Sequence, residues 1–268
     1  MKGKERKGKC KMKITALTEN TTECDMPVEH GLSLYIEAGN RKILFDTGKT
    51  DIFSKNAEKL GKDISAVDTA IISHGHYDHG GGLEKFLQLN SKADVYISRY
   101  AFEPYYNASE KYIGLDSRLE NNSRFVFTNG VTDIDKGLTL FDCNGMKKVC
   151  ETNPFGLKTF RNGKMIDDDF RHEQYLLIEK EGKKVLISGC SHKGIINIVE
   201  WFKPDVLIGG FHFFKLDIGD TLREFAIKLN SFNTEYYTCH CTGVEQYEFM
   251  KKYVKKLSYI STGKSIVI

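Results

Sequence analysis

Ser73-His74-Gly75-His76-Tyr77-Asp78-His79-Gly80-Gly81-Gly82 places three imidazoles and a carboxylate within six positions. The run follows Thr69-Ala70-Ile71-Ile72, which reads as a buried strand, and precedes Leu83 to Leu89, which reads as a helix. Imidazole and carboxylate are good ligands for first-row divalent metals. A strand end fixes their direction, and the glycines let the backbone turn tightly around an ion. His74 and His76 can converge on one ion, while Asp78 and His79, in the turn toward the helix, face a second. Two ions roughly 3.5–4 Å apart would acidify a shared water into a hydroxide nucleophile.

Upstream of this cluster, Lys13 to Leu17, Leu32 to Glu37 and Lys42 to Phe45 read as a meander, followed by a helical stretch from Ile52 to Leu60. Downstream, Asp94 to Ser98 reads as a strand. The second half repeats the plan: a hairpin of Tyr175 to Glu179 and Lys184 to Ile187, a helix from Gly194 to Phe202, and a strand from Asp205 to Ile208. A helix near Thr221 to Phe232, a strand from Glu235 to Cys239, a helix from Val244 to Val254 and a last strand from Ser265 to Ile268 complete it. Two halves of strands followed by strand–helix alternation suit an α/β fold with two sheets face to face and helices outside. Residues 99–124 and 144–172, rich in Tyr, Asn, Asp and Gly, read as irregular insertions of the kind that cover a site.

The 268 residues carry a formal charge of +3, but residues 1–13 hold seven basic residues against one acid. The remainder has 32 basic and 35 acidic residues. Residues 1–12 therefore read as a basic leader to a single domain over 13–268, and the acidic body argues against a nucleic-acid partner. No apolar run long enough for a signal peptide or a membrane span occurs, so the expectation is a cytoplasmic protein without a membrane partner. Seven scattered cysteines with no Cys-x-x-Cys pair fit reduced thiols.

His74-x-His76-x-Asp78-His79, preceded by Phe45-Asp46-Thr47-Gly48, resembles the signature of the metallo-β-lactamase fold superfamily. The resemblance runs from about residue 13 to the C-terminus. It implies a four-layered αββα sandwich, two divalent ions (zinc, with iron or manganese open), and Asp46 as a carboxylate supporting the ligands from behind. It also implies six His or carboxylate ligands, so two more must come from the second half. His240, at the end of a late strand, matches the last histidine of the family pattern. Gly189-Cys190-Ser191-His192-Lys193-Gly194 departs from the pattern: Cys190 stands where many members carry an ion-bridging aspartate, and His192 follows two residues later. His192 is the expected ligand in place of His172, which lacks the family context. Whether Cys190 is a thiolate ligand or a buried core residue, and whether His172 is a ligand or a loop residue, stays open here. The expected metal set is His74, His76 and His192 for one ion and Asp78, His79 and His240 for the other.

His212, in Gly209-Gly210-Phe211-His212, faces the same rim and is expected to bind substrate or, like Asp78, to pass a proton to the leaving group. His30, in Glu29-His30-Gly31, orients ligands or makes a turn hydrogen bond. Strand alternation would point Cys239 and Cys241 away from His240 into the core. Together these motifs are similar to the subgroup named for the dihydropterin and ribofuranosylaminobenzene phosphate synthase. The resemblance implies an enzyme in which a metal-bound hydroxide attacks an ester, phosphoester or similar small-molecule substrate. The alternatives are a transferase joining a pterin-like electrophile to a phosphorylated arylamine, and a metal-containing ligand sensor without turnover.

Free backbone N–H groups from Ser191 to Ile195, with Lys193 nearby, offer an anion cradle and hence an anionic or phosphorylated substrate. Tyr100, Phe102, Tyr105, Tyr106 and Tyr112 either stack on a flat ring or pack as a flap.

Overall fold

The structure, a computed structural model, describes residues 11–268. In chain order the first half contains β1 (Met12–Thr18), β2 (Ser33–Ala38), β3 (Arg41–Phe45), α1 (Ile52–Lys59), β4 (Thr69–Ile72), α2 (Tyr77–Gly80) and α3 (Leu83–Leu89). Then come β5 (Asp94–Ser98), β6 (Tyr105–Tyr106), β7 (Phe125–Thr128), β8 (Val131–Asp135), β9 (Leu138–Phe141), β10 (Lys158–Arg161) and β11 (Lys164–Asp167). The second half contains β12 (Tyr175–Lys180), β13 (Lys183–Ile187), α4 (Ile195–Phe202), β14 (Val206–Gly209), α5 (Asp220–Asn230), β15 (Glu235–Thr238), α6 (Val244–Met250), β16 (Leu257–Tyr259) and β17 (Ser265–Val267).

Two seven-stranded sheets form, ordered β17-β1-β2-β3-β4-β5-β7 and β16-β15-β14-β13-β12-β9-β8. Period-two alternation sends neighbouring residues to opposite faces, which is why each strand feeds two cores. Ile14, Phe45 and Ile71 of the first sheet meet Leu176, Ile187 and Ile208 of the second in the central layer. Leu44, Ala70 and Ile72 face outward onto Phe53 of α1 and Phe86 of α3. Leu186 and Leu207 face outward onto Ile196 and Val199 of α4, Leu222 of α5 and Met250 of α6. The result is the expected αββα sandwich. Among the described residues no helix is long and apolar enough to cross a membrane.

Most of the leader expected over residues 1–12 lies outside the described residues, and β1 already begins at Met12, whose side chain is buried. The two insertions are not irregular. β6 from the first and the β10–β11 hairpin from the second pair antiparallel in one small sheet, with Thr159 opposite Tyr105. The hairpin turns at Asn162-Gly163, both with positive φ (50° and 77°), the two-residue turn that Asn-Gly favours. Glu103 of the first insertion accepts hydrogen bonds from Arg161 and Arg171 of the second. Tyr105 is fully buried and Phe102 stacks on Phe125, so these aromatics pack as a flap.

Candidate metal centre

β3, β4 and β5 run parallel in one sheet, and β13, β14 and β15 run parallel in the other. Each residue of the expected metal set, together with Asp46 and His212, sits just beyond the C-terminal end of one of these strands, where open α/β sheets place their ligands. The turns are abrupt. Asp46 after β3, Ser191 after β13, His212 after β14 and His240 after β15 all adopt left-handed backbone, with φ of 61°, 59°, 56° and 50°. Non-glycine residues take that conformation only where the surroundings hold them in it. At Gly189 a Cβ would lie 2.2 Å from Ser73 Oγ and 3.2 Å from His74 Nδ1, so the second sheet can approach the histidine cluster only through a glycine.

Hydrogen bonds behind the cluster determine which ring nitrogens face it. Asp46 is fully buried. Its Oδ1 accepts from the Ser73 backbone N–H at 2.7 Å, and its Oδ2 accepts from Ser73 Oγ at 2.8 Å and His79 Nδ1 at 2.7 Å. With its own proton given to Asp46, the Ser73 hydroxyl accepts from His74 Nδ1 at 2.8 Å. Both rings therefore carry the proton on Nδ1 and turn an Nε2 lone pair to the site. His240 follows the same logic: its Nδ1 donates to Asn20 Oδ1 at 2.7 Å, and its backbone N–H donates to Glu19 at 3.0 Å. The Asn20 amide then donates to His30 Nδ1 at 3.2 Å, which leaves His30 Nε2 toward Asp78 at 3.3 Å.

The lone pairs converge. His74 Nε2 lies 3.3 Å from His192 Nε2, and the donor atoms of His74, His76 and His192 are all within 4.8 Å of one another. His79 Nε2 lies 3.2 Å from His240 Nε2, and Asp78 Oδ2 lies 3.4 Å from His240 and 3.8 Å from His79. His76 Nε2 and His192 Nδ1 are buried without a hydrogen-bond partner. Two imidazole lone pairs at this separation repel, and an orphaned buried nitrogen is costly. A cation between the donors relieves that repulsion and gives His76 Nε2 a partner, so the residues present fit divalent metal ions.

Electrostatics keep most of these donors available. Burial, reinforced by the surrounding imidazoles, holds His74 and His192 well below the usual histidine range. Burial also brings His240 down to about 4, even though Asp78 opposes it. At Asp78 burial works against ionisation, but His79, His240 and His30 outweigh it and hold the carboxyl well below its ordinary value. His79 is the exception. Burial disfavours its charge, but Asp46 and Asp78 prevail and raise it, so an ion there competes with a proton.

Two expectations need correction, and His172 fits neither of the readings open to it. His172 has no lone pair to offer: Nδ1 accepts from the Gly75 N–H at 2.8 Å and Nε2 donates to Asp168 at 3.0 Å, so it buttresses the cluster from behind. Cys241 does not point into the core. β15 ends at Thr238 and His240–Thr242 form a 3-10 turn, so strand alternation stops; Cys239 packs in the central layer while Cys241 lines the cavity. The anion cradle before α4 is already filled from within, because the buried Glu173 carboxylate accepts from the His192 and Lys193 N–H groups at 2.7 and 3.0 Å. Lys193 turns its amine to the carbonyl oxygens of Asp142 and Glu173.

His212 lines a cavity of about 210 Å³ together with His76, Asp78, His192 and His240. Neither of its ring nitrogens has a partner, and burial, followed by His76, brings it down to about 3. The ring is therefore neutral, with one N–H and one lone pair to offer. Tyr77, Ile113, Leu157 and Phe214 supply apolar wall, and Lys215 is at the rim. Nothing in the sequence singles out Asn20, Glu19, Asp168 or Glu173. A polar residue beside a strand end is ordinary, and only the fold brings these four against the histidines.

The family model of the metallo-β-lactamase superfamily matches residues 26–145. The chain is similar to Tm1679, a metal-dependent hydrolase of the β-lactamase superfamily, with 32% identity and a TM-score of 0.80, covering 96% of this chain and 99% of that one. It is 28% identical to the uncharacterized protein MJ0448 of Methanocaldococcus jannaschii over 86% of this chain and 90% of the relative. It is 27% identical to 7,8-dihydropterin-6-methyl-4-(β-D-ribofuranosyl)-aminobenzene-5′-phosphate synthase of the same organism, over 95% of this chain and 96% of the relative.

Proposed function

Because this chain belongs to the metallo-β-lactamase superfamily, we propose that it is a binuclear metal-dependent hydrolase of a small, anionic ester or phosphoester. The carrying observation is the pair of opposed imidazoles on each side of the cluster, His74 with His192 and His79 with His240, each at 3.2–3.3 Å. In this reading His74, His76 and His192 hold one zinc ion and Asp78, His79 and His240 the other. Bound ions would supply an acidified water and a Lewis acid for the oxyanion.

The chain's own residues do the rest. Asp46 and Ser73 hold two imidazoles in one tautomer, and Asn20 holds a third. His212 presents its N–H to the substrate, and the leaving-group proton passes through Asp78 or His212. The apolar wall excludes water from the substrate body, and Lys215 favours an anion at the mouth. A cavity of about 210 Å³ suits a small molecule rather than a nucleic-acid strand. A cytoplasmic setting agrees with the free cysteines among the described residues. The similarity to a synthase favours one second reading, a transferase joining a pterin-like carbon to a phosphorylated arylamine. Consumption of such a pair without addition of water would select it.

The test is metal quantification on the purified protein together with a phosphodiester, thioester and lactone panel. Two ions per chain and turnover of one class are expected. Fewer than one ion per chain, or inertness across the panel, would overturn the hydrolase.

Asn20→Ala probes the second-ion position. With its Nδ1 partner gone, His240 can rotate or change tautomer, and loss of such an orienting partner weakens metal binding by about 10–100-fold. Competition with a chelator measures it, and unchanged affinity would show that Asn20 does not set the ring.

A further inference from the structure

Cys190 is buried, yet it belongs to none of the apolar clusters among the described residues, whereas Cys239 is part of the central one. Its Sγ lies 3.1 Å from His79 Nε2. It is also the common member of three donor sets, with His74 and His79, with His192 and His212, and with His240 and Cys241, each set lying within 4.8 Å. The sulfur is thus within 4.8 Å of donors from both triads described above. Among the donors of those sets, the His192 ring still has one buried nitrogen without a partner and the His212 ring has two.

We infer that the Cys190 sulfur is a ligand shared between the two metal positions, so that the centre is thiolate-linked rather than built from imidazole and carboxylate alone. The inference rests on the binuclear reading above. Each triad supplies three donors, one short of the four that zinc prefers, and a sulfur between them serves both. On binding, the S–H bond breaks, its proton leaves to solvent, and sulfur–metal bonds form, with no change in oxidation state. A soft sulfur also turns the centre toward zinc and away from manganese, a choice that a set of imidazoles and carboxylates leaves open.

Cobalt(II) titration of the metal-free full-length protein tests this, because a thiolate on cobalt gives an intense near-ultraviolet charge-transfer band that imidazole and carboxylate do not. The expected result is a band that grows with cobalt uptake in the wild type, is lost in Cys190→Ser with cobalt still bound, and is retained in Cys241→Ser. Uptake without the band, or a band that survives Cys190→Ser, would overturn the shared thiolate while leaving the metal centre standing. No cobalt uptake at all would overturn the centre and this inference together. X-ray absorption on the zinc-loaded wild type needs no variant to fold. A sulfur shell at about 2.3 Å is expected, and its absence would overturn the assignment.

Discussion

His76→Ala is expected to lose metal and hydrolytic turnover together. The imidazole stands at the start of α2, with its Nε2 buried and unpartnered, and its donor atom is grouped with those of His74 and His192. Removing one of three donors takes away more than an orienting contact, whose loss alone costs 10–100-fold in affinity, so a fall of more than about 100-fold is expected at the first position. Turnover falls with occupancy. The fold should survive, because the nearest charged group, Asp168 at 3.8 Å, keeps its closer bond to His172 at 3.0 Å. Metal content by elemental analysis, turnover on the substrate panel and a circular dichroism spectrum separate these effects. Full occupancy with full turnover would remove His76 from the centre.

Glu173→Ala is expected to cost about 3–5 kcal/mol of folding stability. The carboxylate is fully buried and accepts from two backbone N–H groups at the head of α4 and from the Tyr175 hydroxyl. Each buried donor left unsatisfied costs about 1–3 kcal/mol. Lys193 adds to this. Burial lowers its amine from the usual lysine range, and Glu173 is the leading group opposing that shift, so truncation strands a buried charge. Breaking such a pair typically costs 3–5 kcal/mol. Against a total stability of 5–15 kcal/mol that is a large fraction. Urea unfolding would read it as a drop in midpoint at unchanged slope, and a loss below about 1 kcal/mol would show that water replaces the carboxylate. Glu173→Gln keeps an acceptor and loses the charge, and should fall between the two.

Glu173 is a partner that the local sequence around α4 does not announce. Ser191 to Ile195 reads as an open anion site because the donors are local, while the acceptor that fills it, Glu173, comes from the segment before β12. The sequence around His172 does not decide its role for the same reason. Its two partners, Gly75 and Asp168, are 97 and 4 residues away, and only their joint presence uses up both ring nitrogens. Alternation points Cys241 into the core, but it holds only while a strand lasts, and β15 stops at Thr238. The Asn162-Gly163 turn, by contrast, was a local signal of a hairpin that the irregular composition around it hid.

The chain alone determined the αββα layering and the clustering of His74, His76, Asp78 and His79, because side-chain periodicity and ligand spacing are local properties of a strand and the turn that follows it. Tertiary structure decided which nitrogens face inward, which thiol lies beside them and which carboxylates stand behind, because a tautomer is set by whatever accepts the other proton. For His240 that acceptor, Asn20, lies 220 residues away in sequence.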